Sequence, residues 1–120
     1  MGDWEKILKT LSVNAFSYIF IATRDHRFDL ICLRFALQSS ACYIGMLGSR
    51  KKAASLFDRL EKEDFDASDF ERVFVPAGLD VGSETPEEIA VSIAAELIAV
   101  RKKIDIRSLK SAWRAAKAMQ

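Results

Sequence analysis

Tyr43-Ile44-Gly45-Met46-Leu47-Gly48-Ser49-Arg50-Lys51-Lys52 is the stretch on which the reading of this chain turns. A short apolar segment, Ala41 to Ile44, runs into a loop with glycines at 45 and 48, and a helical pattern begins at Arg50. Strand, glycine loop and helix together place backbone N–H groups and a helix N-terminus in front of an anion. Ser49 is a good N-cap. Arg50, Lys51 and Lys52 fill the first helical turn with positive charge, against the helix dipole, which suggests a negative ligand nearby. The plainer alternative is a tight turn followed by solvated cations.

Outward from this stretch, apolar runs alternate with amphipathic ones. Phe16 to Ala22 is continuous, β-branched and aromatic, the pattern of a strand buried on both faces of a parallel sheet. Thr23 to His26 is the loop at its C-terminal end, where ligands of open α/β sheets gather. A helix is predicted from about Arg27 to Gln38, with Asp29 as a possible cap, then the second strand at Ala41 to Ile44. The helix from Arg50 runs to about Glu63. A helical turn is expected near Phe70, and Arg72 to Val75 is a third strand candidate ended by Pro76. Ala77 to Glu84 is a loop. Thr85-Pro86-Glu87-Glu88 combines an N-cap, proline at N1 and a capping box, and starts a helix reaching about Lys103. In that helix Ile89, Ile93, Leu97 and Val100 are expected inward, while Glu88, Ser92 and Glu96 read as an exposed polar stripe.

Two further helices bracket this core. One is a short helix through Leu11 that Asp3 could cap, with Trp4, Ile7, Leu8 and Leu11 on one face. The other runs from about Ile106 to Met119, basic on one side, and is read as a solvated face. The alternation predicts an α/β fold: a small parallel sheet of about three to four strands flanked by helices, a partial Rossmann-like arrangement. The organisation expected is one domain over residues 1–120: an N-terminal helix in 1–15, the core in 16–103 and an extra C-terminal helix in 104–120. The G-x-G-x-x-G fingerprint is absent.

Composition bounds the function. The chain has 120 residues, half of them hydrophobic, enough for a core. Its net charge of +1 gives no general argument for nucleic acid or a membrane surface. No apolar run is long enough to span a bilayer, and the N-terminus does not read as a signal peptide. Cys32 and Cys42 match no metal spacing and read as reduced core residues, which fits a cytoplasmic protein. His26 is the single histidine and lacks the companions of a zinc site. It could serve as a general base, but a structural or ligand-orienting role is preferred, because no nucleophile is placed by sequence.

Three blocks in order carry a resemblance: Thr23-Arg24-Asp25-His26-Arg27-Phe28-Asp29, the Tyr43–Lys52 stretch, and Pro76-Ala77-Gly78-Leu79-Asp80-Val81-Gly82-Ser83-Glu84-Thr85-Pro86-Glu87-Glu88-Ile89-Ala90 continuing to Glu96. Over about Phe16 to Arg101 the chain resembles the C-terminal Rossmann-like domain of the XdhC/CoxI family. The resemblance implies an accessory factor, rather than an enzyme, for a molybdenum hydroxylase such as xanthine dehydrogenase. It implies binding of the molybdenum cofactor or a nucleotide of the NAD(P) kind. It keeps Thr23, His26 and Asp29 as a unit. The expected anion cradle is Gly45, Gly48, Ser49 and Arg50, with Lys51 beside them, and Asp80 is an expected acceptor for ribose or pterin N–H groups.

Full-length family members also carry an N-terminal domain and a first βαβ unit with a glycine-rich turn, which this chain does not match. It is therefore expected to be a domain fragment or a reduced stand-alone relative. A sheet lacking that half has an edge strand without its usual neighbour, so a homodimer through the exposed edge is a second expectation. An interaction module without ligand binding and a nucleotide-dependent oxidoreductase relative are the alternatives.

Overall fold

The computed structural model describes residues 4–79 and 81–104. The chain forms two compact units, residues 1–76 and 77–120. The last predicted helix, Ile106 to Met119, lies outside the described residues.

In the first unit, α1 (Trp4–Lys9) precedes β1 (Tyr18–Ile21), α2 (His26–Gln38), β2 (Tyr43–Met46), α3 (Arg50–Glu61), α4 (Ala67–Phe70) and β3 (Val73–Phe74). The strands form a parallel sheet in the order β1-β2-β3. Tyr18 is opposite Tyr43, Ile21 opposite Met46, and Ile44 opposite Val73. This is the predicted partial Rossmann-like α/β arrangement, built with three strands.

Side chains alternate across a strand, and the two faces of this sheet differ. One face carries Ile19, Ile21, Ile44, Met46 and Val73, and it packs with Leu30, Leu33 and Leu37 of α2 and Ala53, Leu56 and Leu60 of α3. Apolar residues at helical spacing on α2 and α3 therefore build the core against one side of the sheet. The other face carries an aromatic row. Tyr43 stacks on Phe74, with centroids 5.2 Å apart, and Tyr18 lies 6.1 Å from Tyr43.

Four local expectations are corrected. The second strand is displaced toward the C-terminus, running Tyr43–Met46 rather than ending at Ile44, because pairing with β1 continues to Met46. Gly45 is thus a strand residue. An added Cβ there would stand 2.4 Å from the Tyr43 hydroxyl oxygen, so the glycine makes room for the ring two positions back. The first helix ends at Lys9 rather than reaching Leu11: Trp4 packs on Phe28 at 5.3 Å, but Ile7 is exposed and Leu11 lies exposed beyond the helix. Both cysteines are free and only half-buried, rather than full members of the core. Burial raises the Cys32 thiol above its usual pKa, with the Asp29 charge acting in the same direction.

The end of α2 is tied down by a long-range cation. Arg72, just before β3, donates Nη1–H to the carbonyls of Ser39 and Ala41, at 3.0 and 2.9 Å, and Nη2–H to Leu37 at 2.8 Å. Carbonyls that a helix C-terminus leaves without partners are thereby satisfied.

In the second unit, α5 (Pro86–Arg101) begins at the predicted signal: Thr85 accepts from the Glu88 N–H, and Glu88 closes the capping box. Its buried residues are Ser92, Glu96 and Ala99. The expected exposed polar stripe is corrected at two of its three positions, because the preceding loop folds back onto Ser92 and Glu96. Gly78 N–H donates to Glu96 Oε1 at 3.0 Å, and Leu79 N–H donates to the Ser92 carbonyl at 3.1 Å. Gly78 has φ of +104°, and an added Cβ would stand 2.4 Å from Ser92 Oγ, so the close approach requires glycine. No helix among the described residues is long and apolar enough to cross a membrane.

Candidate functional site at the strand ends

The C-terminal ends of β1 and β2 each open into a short loop that becomes a helix N-terminus. After β1, residues 22–25 lead into α2, and Asp25 is the N-cap, accepting the Arg27 N–H at 2.8 Å. Asp25, not Asp29, therefore caps this helix. Arg27 returns to the cap through its guanidinium, with Nη2 2.9 Å and Nε 3.2 Å from the two carboxylate oxygens. That guanidinium, and then the Arg27 N–H, hold the Asp25 carboxyl at about 2, below its ordinary 3.8.

After β2 the turn is Leu47-Gly48-Ser49. Gly48 has φ of +144°, in the region that favours glycine. Ser49 caps α3, its Oγ accepting the Lys52 N–H at 3.1 Å. Leu47 N–H donates to the Ile21 carbonyl at 3.0 Å, which draws the glycine turn alongside the end of β1. Two helix N-termini, each partly positive, thus stand over neighbouring strand ends.

A buried ion pair joins the two loops. Asp29, in the first turn of α2, is only 1% exposed. The Thr23 hydroxyl donates to its Oδ1 at 2.5 Å and also lies 2.9 Å from the Asp25 carbonyl oxygen. Its Oδ2 pairs with the Lys52 ammonium from the first turn of α3. An unpaired carboxylate at this depth would be costly, and the ammonium and hydroxyl offset that cost. The pair also neutralises a cation that the α3 dipole disfavours.

The expected site residues fall into separate groups. Thr23, Asp29, Gly48, Ser49, Arg50 and Lys51 belong to the two adjacent loops and helix starts, with Arg50 and Lys51 exposed. His26 is the exposed first residue of α2. Gly45 lies within β2 beneath the Tyr43 ring, two residues before the turn. Asp80 lies outside the described residues. In the second unit the loop before α5 and the helix itself line an apolar depression formed by Val81, Ser83, Glu87, Glu88 and Val91.

Lys52 counts in the sequence only as one of three first-turn cations, outside the expected cradle, yet it is the one that reaches across to the neighbouring loop. A usable signal exists: it stands three residues after the cap, and helical side chains lean toward the N-terminus. That lean carries Lys52 back over the turn, whereas Arg50 and Lys51 point to solvent. Among the described residues, no group of three His, Cys, Asp or Glu is arranged to hold a metal ion.

Comparison with known proteins places this arrangement in a family. Residues 3–97 match the model of the XdhC Rossmann domain. The chain is 36% identical over 86 residues to a probable xanthine dehydrogenase component of Bacillus subtilis strain 168, covering 72% of this chain and 24% of that protein. It is 28% identical over 94 residues to the uncharacterized protein YqeB of Escherichia coli K12, covering 78% of this chain and 17% of the relative. The crystal structure of a xanthine dehydrogenase from Bacillus halodurans superposes with a TM-score of 0.70 at 27% identity, over 85% of this chain and 28% of that one. The chain thus spans about a quarter or less of the length of these two curated relatives. The strand-turn-helix units described above, and the match over nearly the whole described chain, make this protein a member of the XdhC Rossmann domain family.

Proposed function

We propose that this chain is an accessory module in the maturation of a molybdenum hydroxylase of the xanthine dehydrogenase kind. In this reading it binds a phosphorylated ligand, a nucleotide or the molybdopterin cofactor, at the C-terminal ends of β1 and β2. The observation that carries the reading is the adjacency of two capped helix N-termini, one bearing Gly48, Ser49 and the exposed Arg50. Backbone N–H groups and a cation at such a turn are the chemistry that receives a phosphoryl oxyanion. Two relatives whose names refer to xanthine dehydrogenase support the choice of system.

The test is thermal stabilisation by ADP and by a pterin phosphate ester. A response to one and not the other identifies the ligand, and Arg50→Ala reduces it. No stabilisation by either compound counts against the reading, as does a response that Arg50→Ala leaves unchanged.

A second reading is an interaction module that pairs through β1. Its support is the exposure of Tyr18 (39%) and Phe20 (44%) on that strand and of Phe16 (86%) two residues before it. Among the described residues, β1 pairs only with β2, which leaves its other edge for a second copy of the chain.

A further inference from the structure

The Asp29–Lys52 pair is asymmetric in a way that bears on the strand-end site. Asp29 is held inside, 1% exposed and fixed by the Thr23 hydroxyl, while the Lys52 side chain keeps 28% exposure. Lys52 also reaches its partner along the glycine turn itself: its Cδ lies 3.4 Å from where a Cβ of Gly48 would stand. The carboxylate is immobile, whereas the ammonium sits on a flexible four-carbon stem beside the turn. If the pair breaks, Lys52 is the partner able to move.

We propose that Lys52 is the principal ligand-binding cation of this site, and that Asp29 is its internal counter-ion while no ligand is present. The proposal rests on reading the turn as a phosphoryl site. An arriving phosphoryl group competes with Asp29 for the ammonium, and Lys52 turns from the carboxylate toward it. Part of the attraction is spent on separating the pair, so Asp29 lowers the affinity. It also keeps Lys52 from being an uncompensated charge at a helix N-terminus. The proton stays on Lys52 throughout, and only its partner changes.

The experiment uses the full chain and inorganic pyrophosphate, with affinities from isothermal titration calorimetry. Asp29→Asn releases Lys52 and is expected to tighten binding several-fold. Adding Lys52→Gln to Asp29→Asn removes the cation without stranding a buried charge, and is expected to weaken binding roughly tenfold relative to Asp29→Asn alone. Lys52→Arg, which keeps the charge, retains binding. Lys62→Gln, at the far end of α3, leaves it nearly unchanged.

Equal affinities for Asp29→Asn and the double variant overturn the proposal, since Lys52 is then only a strut. Weaker binding by Asp29→Asn also overturns it, because Asp29 then aids the ligand rather than competing with it. The parent reading fails separately: it falls if neither the wild-type protein nor Asp29→Asn binds pyrophosphate, or if Arg50→Ala has no effect. Circular dichroism on each variant confirms that the affinities come from folded protein.

Discussion

Asp29 and Lys52 give the clearest single-residue expectations. Lys52→Met leaves the Asp29 carboxylate buried without its cation and is expected to lower stability by about 3 kcal/mol. Combining it with Asp29→Asn removes both charges and should recover most of that loss, as urea melts of the double-mutant cycle would show. A simple sum of the single effects would mean that the two side chains do not interact. Asp25 makes a pH-dependent contribution. Its folded-state pKa, about 2, lies below the ordinary 3.8, with the Arg27 side chain as the main cause. Its contribution to stability is therefore complete above the ordinary value and is lost as the pH falls through about 2. The stability difference between the wild-type protein and Asp25→Asn should shrink across that acid window, measured by denaturant melts at each pH. A difference that stays constant over the same window would count against the carboxylate's role.

At the scale of elements, the parts of the structure that were legible are those set by local chemistry. The α5 start was readable because Thr85, Pro86 and Glu88 satisfy its first N–H groups among themselves. Ser49 was readable as the α3 cap for the same reason. The sheet followed from uniform apolar runs, but the expectation that Phe16 to Ala22 is buried on both faces fails, because Tyr18 and Phe20 are exposed on the side away from α2 and α3. What could not be read depended on partners distant in the sequence. Gly45 appeared to belong to a loop because glycine is a turn residue, but it is set by the Tyr43 ring. Glu96 appeared solvated because charge at helical spacing usually is, but its place is fixed by the Gly78 N–H, 18 residues away in sequence. The Lys52–Asp29 pair likewise needs two helix starts brought side by side. Arg72 belongs with these long-range features. Its three bonds to carbonyls of α2 and the segment after it imply that Arg72→Met costs about 3 kcal/mol. Thermal melting of that variant, with amide exchange along 35–42, checks both the loss and its location. Exchange that rises elsewhere instead would count against the clamp.

For the whole molecule, the surface question is what meets β1. Tyr18 and Phe20 are exposed on β1, with Phe16 exposed two residues before it, and among the described residues β1 pairs only with β2; a sheet edge of that kind pairs readily with another chain. Multi-angle light scattering of the wild-type protein is expected to give a dimer at micromolar concentration. Phe20→Asp should shift it to monomer with the circular dichroism unchanged, and a wild-type monomer would remove the second reading. The sheet order has a further consequence, for how the protein is made. Among the described residues each strand pairs with the next one along the chain, so none of these three waits for a later one. As the polypeptide leaves the ribosome, β1, α2 and β2 can close into a first unit, and β3 adds to an edge that already exists. The two loops that the Lys52–Asp29 pair joins come together as soon as α3 emerges. Growth from the N-terminus therefore lets the candidate site assemble before α5 has left the ribosome.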